Sequence, residues 1–208
     1  MTSIAVALMV AAAQPGSAAE AVQRTQEKVR ASLNTWLKSQ GSARAHAREQ
    51  ARKAVADLID FDGLAKSTLG KKWDEIPPKD RARYTAALKG AMEANYLTKM
   101  RAGKSSDVER ARTEITGEEQ QDGRVLVHTK VQSGEDTAAI DYVMEKTPKG
   151  WKAVDVITEG VSLAETYREQ VAKQLQKKSL NDVIATLERK RKTLEAELDK
   201  PAPQSAAK

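Results

Sequence analysis

The chain holds two histidines, His46 and His128, and no cysteine. Without cysteine there is no disulfide and no thiolate ligand for zinc or an iron–sulfur cluster. Two imidazoles do not make a His-rich metal site. His128 and Asp155 fall in neighbouring alternating stretches, where they could form an acid–base pair across adjacent strands. The competing reading is an exposed strand histidine and a structural aspartate. His46 sits in an Ala- and Arg-rich run, on an exposed helix face. Asp60 and Asp62 flank Phe61 ahead of Gly63 and read as turn and cap residues. There is no phosphate-binding glycine loop, no nucleophile elbow and no His-Glu-x-x-His. The 35 Lys and Arg exceed the 29 Asp and Glu, for a net charge of +6. The basic residues are interleaved with acidic ones, and Tyr84 and Tyr96 fall on the apolar side of a helical stretch. The pattern therefore speaks against a nucleic-acid surface. It favours a protein that is not an enzyme and needs neither metal nor organic cofactor.

The elements that must position any site read as helices, then strands, then helices. Val22, Val29, Leu33, Trp36 and Leu37 recur at helical spacing, and a second helical run follows Gln40-Gly41-Ser42 as far as Ile59. Leu64, Ala65 and Thr68 suggest a short helix ended by Gly70. Pro77 and Pro78 open a longer one, on which Tyr84, Leu88, Ala91, Met92, Asn95 and Tyr96 share a face. The period then changes to two. Residues 108–116 predict a first strand. Val125, Val127, Thr129 and Val131 mark a second, Ile140, Tyr142 and Met144 a third, and residues 151–157 a fourth. Short turns at Gly134 and Gly150 imply an antiparallel meander. After Gly160, Leu163, Tyr167, Val171 and Leu175 restore helical spacing, and Ser179 or Asn181 caps a last helix. The fold class is α+β: an antiparallel sheet of about four strands with helices on one face or end, an arrangement that can enclose a pocket.

Both ends differ from this middle. Residues 1–19 carry no charge, and Ile4 to Ala13 form an apolar run too short to span a bilayer. Pro15 and Gly16 break it, and Ser17-Ala18-Ala19 offers small residues to a signal peptidase. The segment predicts a secretory signal cut after Ala19, although no Lys or Arg precedes the run; the alternative is a disordered Ala-rich N-terminus. Residues 189–208 are rich in Glu, Lys and Arg and end in a Pro- and Ala-rich tail. Leu180, Leu187 and Leu194 stand seven apart, as do Ile184, Arg191 and Leu198, a short seam interrupted by Arg191. The expected organisation is thus a signal at 1–19, a domain at 20–188, and a charged, partly disordered extension at 189–208.

Two stretches carry a recognisable pattern. One runs Asp60-Phe61, Leu69-Gly70, Trp73, then Tyr84 and Asn95-Tyr96. The other runs Trp151-Lys152, Asp155-Val156, Glu159-Gly160-Val161-Ser162 and Tyr167-Arg168-Glu169-Gln170. In order and spacing they resemble the MlaC family, also called toluene-tolerance auxiliary proteins, over about residues 22–188. Tyr84 and Leu88 stand where the family has Phe, and Val171 replaces another; each keeps its apolar character. The resemblance implies a nuclear-transport-factor-like sheet plus a helical part around a lipid-sized cavity. It further implies a soluble, monomeric periplasmic phospholipid carrier. Its partners would be an outer-membrane lipoprotein–porin complex and an inner-membrane ABC transporter complex with its substrate-binding hexamer, and its task outer-membrane lipid asymmetry. Some relatives go with hopanoid metabolism and would carry a polycyclic lipid.

The cavity lining expected on this reading is Val125, Val127, Ile140, Tyr142, Met144, Val154 and Val156 from the strands, with Leu64, Leu69, Leu88, Met92, Tyr96, Val161 and Tyr167 from the helices. Each would serve equally as ordinary core, because a lipid cavity and a core use the same residue types. Trp73 and Trp151 read as structural anchors. Arg168 could meet a phosphate or form a surface salt bridge. Two other readings stay open: an enzyme built on His128 and Asp155, and an envelope-interaction protein whose charged tail does the binding.

Overall fold

The computed structural model describes residues 16–102 and 105–200. The apolar run of the expected export signal and the tail at 201–208 lie outside them. Two helices come first, α1 (Ala18–Lys38) and α2 (Gly41–Ala56), folded on each other around Leu33, Trp36 and Ala51. The short α3 (Phe61–Leu69) is capped by Asp60, whose carboxylate accepts from the Gly63 N–H at 3.1 Å. A 3₁₀ turn (Gly70–Glu75) leads to the long α4 (Pro78–Ala102). Residues 108–110, expected in the first strand, instead belong to a short helix, α5 (Ser105–Arg110). Strand pairing starts only at Arg112, where the sequence begins to alternate.

Five strands follow: β1 (Arg112–Gln121), β2 (Arg124–Ser133), β3 (Asp136–Thr147), β4 (Gly150–Thr158) and the two-residue β5 (Val161–Ser162). They form an open antiparallel meander in chain order. The fifth strand was not expected. It exists because Glu159 (φ 50) and Gly160 (φ 77) both take positive φ. A two-residue turn of the primed type needs this, and it folds Val161 and Ser162 back onto β4.

Two helices close the chain, α6 (Leu163–Leu175) and α7 (Leu180–Asp199). Ser179, not Asn181, caps α7, in a reciprocal capping box with Asp182. The helix runs parallel to α4. Arg83 near the start of α4 donates to Asn181 at 3.0 Å, and Arg101 near its end donates to the carbonyls of Glu197 and Lys200. The first part of the charged extension expected at 189–208 is the second half of this helix, exposed along most of its length, with Leu194 half-buried and Leu198 buried. Leu198 is 2% exposed and packs with Trp36 and Leu97. Arg191, the break in the leucine seam, lies over Gly90 of α4; a Cβ there would sit 2.7 Å from Arg191 Cδ. The glycine makes room for the long side chain on an otherwise apolar seam.

Candidate functional site

One face of the sheet is a continuous apolar wall. Val125, Val127 and Thr129 of β2, Tyr142 and Met144 of β3, and Ala153 of β4 are all buried. Cross-strand pairing sets them side by side: Val125 opposite Met144, Val127 opposite Tyr142, and Thr129 opposite Ile140. Alternation places β2 and β3 as the sequence predicts. In β4 it does not. The register steps from Val143↔Asp155 to Met144↔Ala153, so Val154 is an extra, bulged residue. Ala153 and Val156 therefore pack on the wall together, while Val154 is half-buried and belongs to none of the apolar clusters. The β4 residue that fills the expected place of Val154 is Ala153.

The facing wall is helical. Leu64 and Leu69 of α3, Leu88 and Met92 of α4, and Tyr167 of α6 gather in one cluster with Tyr84, Val171 and Ile184. The sheet residues gather in another with Ala18, Ala19, Ala21 and Val22 of α1, and with Leu58. Ile59 packs against both. Tyr96 stands one turn beyond Met92 on the same flank of α4 and packs at the edge of the α1–α2 cluster. Tyr96 lies near enough to Tyr142 to push it further up, and Tyr142 accepts a hydrogen bond from the Gln26 side chain of α1. Burial pushes Tyr96 up to about 12 and Tyr142 higher still, so both stay neutral hydroxyls throughout the physiological range. Between sheet and helices there is thus a seam with apolar sides and a small neutral polar patch of Gln26, Tyr96 and Tyr142. Val161 is not part of it: on the edge strand β5, it is 62% exposed.

The two walls are tied at their margins. The Ala153 N–H donates to the Leu58 carbonyl at 2.7 Å, and the Asp60 N–H donates to the Ala153 carbonyl at 2.9 Å. These two bonds fasten the α2–α3 link to β4. On the far edge, the Ala19 N–H donates to the Glu118 carboxylate of β1 at 2.7 Å. Between these ties Ile59 packs against both clusters.

Comparison with known proteins agrees with this geometry. The profile of the MlaC protein family matches residues 23–189. The chain belongs to the MlaC family. A solved structure of a phospholipid-binding protein from Ralstonia solanacearum, in complex with a phospholipid, is similar to it with a TM-score of 0.73. The two are 19% identical, over 86% of this chain and 99% of that one. No curated protein matches the chain.

Against this MlaC fold the candidate polar residues resolve individually. His128 Nδ1 lies 3.1 Å from Asp141, its cross-strand partner, and not beside Asp155. Asp155 is occupied elsewhere. It accepts from the N–H groups of Val156 at 2.8 Å and Ala164 at 2.9 Å, and from the Ser162 hydroxyl at 2.5 Å. It is the joint that sets α6 on the sheet. Arg168 pairs with Glu165 at 2.5 Å on the surface. His46 is exposed on α2. Among the described residues no group of His, Asp and Glu is placed to hold a metal ion.

Two of the clefts in the described surface are small. One, of about 240 Å³, lies between α3 and α6 and includes Leu69, Lys71, Lys72 and Leu175. The other, of about 200 Å³, lies where α2 meets the end of α7, lined by Trp36, Arg44 and Leu198. Both fall below the roughly 300–1,000 Å³ that drug-sized ligands occupy, and neither lies in the seam. The sheet cluster and the helical cluster meet at Ile59, which packs against both. Sequence reasoning missed the α1 contribution, Ala18 to Val22 and Gln26, together with Leu58, Ile59 and Ala153. Alanines give no apolar periodicity that stands out, and an isolated link residue gives none at all.

Proposed function

We propose that this MlaC-family protein is a periplasmic phospholipid carrier that holds acyl chains in the seam between the sheet wall and α4. It exchanges its cargo with an outer-membrane lipoprotein–porin complex and an inner-membrane ABC transporter complex with its substrate-binding hexamer, and so helps maintain outer-membrane lipid asymmetry. The observation that carries the reading is the pair of separate apolar clusters, one on the sheet and one among the helices, that meet at Ile59, with hydrogen-bonded ties at the margins. The phospholipid complex of the Ralstonia solanacearum protein supports it, on a similar fold. The N-terminal apolar run supports export. No described helix is long and apolar enough to cross a membrane; the proposed carrier works as a monomer between membranes. The chemistry needed is burial, not bond-making, so the function asks for no catalytic group and no cofactor.

Energetics fixes the mode of transfer. Burying a methylene contributes about 0.8 kcal/mol. Two acyl chains of roughly 30 methylenes contribute on the order of 20 kcal/mol, near the ceiling for noncovalent affinity. Release into water is then very slow, and transfer proceeds by docking, with a membrane complex parting the walls and taking the tails directly.

Native mass spectrometry of the protein purified from a bacterial periplasm without detergent tests the reading. Added mass that extracts as one diacyl phospholipid per protein is expected. A co-purified hopanoid changes the cargo and keeps the seam. A bare protein that takes up no lipid from vesicles overturns the proposal, as does rapid loss of lipid to dilute vesicles with no partner present.

A further inference from the structure

We infer that the export signal is cut after Ala13, and that the mature protein keeps residues 16–19 as the foundation of α1. The inference rests on the export part of the reading above. Ser17 is the N-cap of α1: its hydroxyl accepts from the Glu20 N–H at 3.1 Å, and its carbonyl accepts the first helical bond, from Ala21 at 3.2 Å. Glu20, three residues on, reaches back to the Gly16 N–H, the reciprocal half of a capping arrangement. Ala18 and Ala19 are each 1% exposed and pack in the sheet cluster with Val125, Met144 and Ala153. Two long-range bonds seat the turn. The Ala19 N–H donates to Glu118 at 2.7 Å, and the Trp151 indole donates to the Gly16 carbonyl at 2.9 Å.

A cut after Ala19 removes all of this. It takes the cap, both buried alanines, the Trp151 acceptor and the Glu118 donor. It also puts a new ammonium at Glu20, on the positive end of the helix dipole, where cations are unfavourable. A notch opens at the end of the apolar wall. A peptidase that reads small residues at the two key positions has an earlier choice. Ala11 and Ala13 stand at that spacing, at the end of the apolar run that begins at Ile4. Hydrolysis of the Ala13–Gln14 amide consumes one water, which supplies the hydroxyl of the new Ala13 carboxyl and a proton of the new Gln14 amine. Every described contact of α1 survives it.

The full chain is expressed in a bacterium with a periplasm, and the intact mass and N-terminal peptide of the periplasmic protein are measured. A chain starting at Gln14, free or cyclised, is expected. A start at Glu20 overturns the inference while leaving export intact; an uncut chain in the cytosol overturns both. A Gln14 start on a protein without lipid keeps the inference and sinks the carrier. In the same assay Ala13→Leu leaves precursor uncut, and processing that continues unchanged at Gln14 or moves to Glu20 counts against the site. Chains beginning at Gln14 and at Glu20 are then melted. The shorter is expected to melt roughly 5–10 °C lower, or not to fold; equal melting temperatures show that residues 16–19 are no foundation.

Discussion

The sheet wall and the helical wall bury their residues by different means. In the sheet, Val127 and Met144 are fully buried, and each strand is hydrogen-bonded to its neighbours along its length. Moving one wall residue means moving a ladder. The helical wall is a stack of separate cylinders. Its central helix, α4, is buried on several sides at once: Gly90, Ala91, Met92, Glu93 and Ala94 are all buried. Its small residues let α7 and α2 come close, and one acid, Glu93, is enclosed with them. Each helix satisfies its own backbone, so a helix can shift as a body at the cost of side-chain contacts alone. On the proposed function, the sheet would be the fixed surface on which cargo lies, and α4 with its neighbours the part that moves away.

The largest expected effect tests the fixed wall. Val127→Asp places an unpaired charge at 0% exposure in the middle of β2, which costs on the order of 4–5 kcal/mol or more. Circular dichroism should report a protein that does not fold, and no lipid is recovered. A folded Val127→Asp protein would mean that the sheet yields too. The next effect belongs to the moving wall. Met92, on the α4 flank that leads to Tyr96, is 8% exposed. Met92→Trp overfills the seam at a cost of about 1–3 kcal/mol, and the folded protein should carry lipid at occupancy reduced by about tenfold, a difference of some 1.4 kcal/mol. Undiminished lipid would place the acyl chains elsewhere, and the cleft beside Leu69 and Leu175 is the next place to look.

Legibility in the sequence follows the same division. Alternation exposed β2 and β3 because every second residue is large and apolar, and helical spacing exposed α1, α4 and α6. The phase of β4 was hidden because a bulge at Val154 leaves no mark in residue types; only the pairing with β3 reveals it. Leu198 was hidden by the charges around it, since one leucine per turn looks like a solvated helix until a partner is known. Asp155 was legible, with Gly160 and Ser162, as one of the turn and cap residues that join the last strand to its helix, and the structure agrees; its bond from the Ala164 N–H was not. Asp155→Ala should remove three accepted hydrogen bonds and lower stability by about 1–3 kcal/mol, or several degrees of melting temperature. His128→Ala, across a partly exposed pair, should cost about 0.5 kcal/mol. A lipid-independent activity that vanished in both variants would restore the enzyme reading.

The smallest effect concerns the acid in the moving wall, and its sign follows from its surroundings. Glu93 is 2% exposed. Its Oε2 accepts from Arg52 of α2 at 2.5 Å, while Oε1 accepts no hydrogen bond and lies 3.8 Å from Lys89 Nζ. Arg191 of α7 adds a more distant positive charge. Burial nevertheless outweighs these partners and raises the carboxyl above its ordinary range. In acid, both folded and unfolded chains carry the proton and nothing is lost. As pH rises through the ordinary glutamate range the unfolded chain ionises first, and stability falls until the folded carboxyl ionises as well. Glu93→Gln removes that loss. It strands no cation, because Arg52 is one-third exposed and keeps Glu49 at 2.6 Å. The variant should melt about 2 °C higher than the parent at neutral pH, and the two should converge as the pH falls to the ordinary glutamate value. A variant that melts well below the parent at neutral pH would show instead that the Arg52–Glu93 pair fastens α2 to α4, and the moving wall would then have to include both helices as one body.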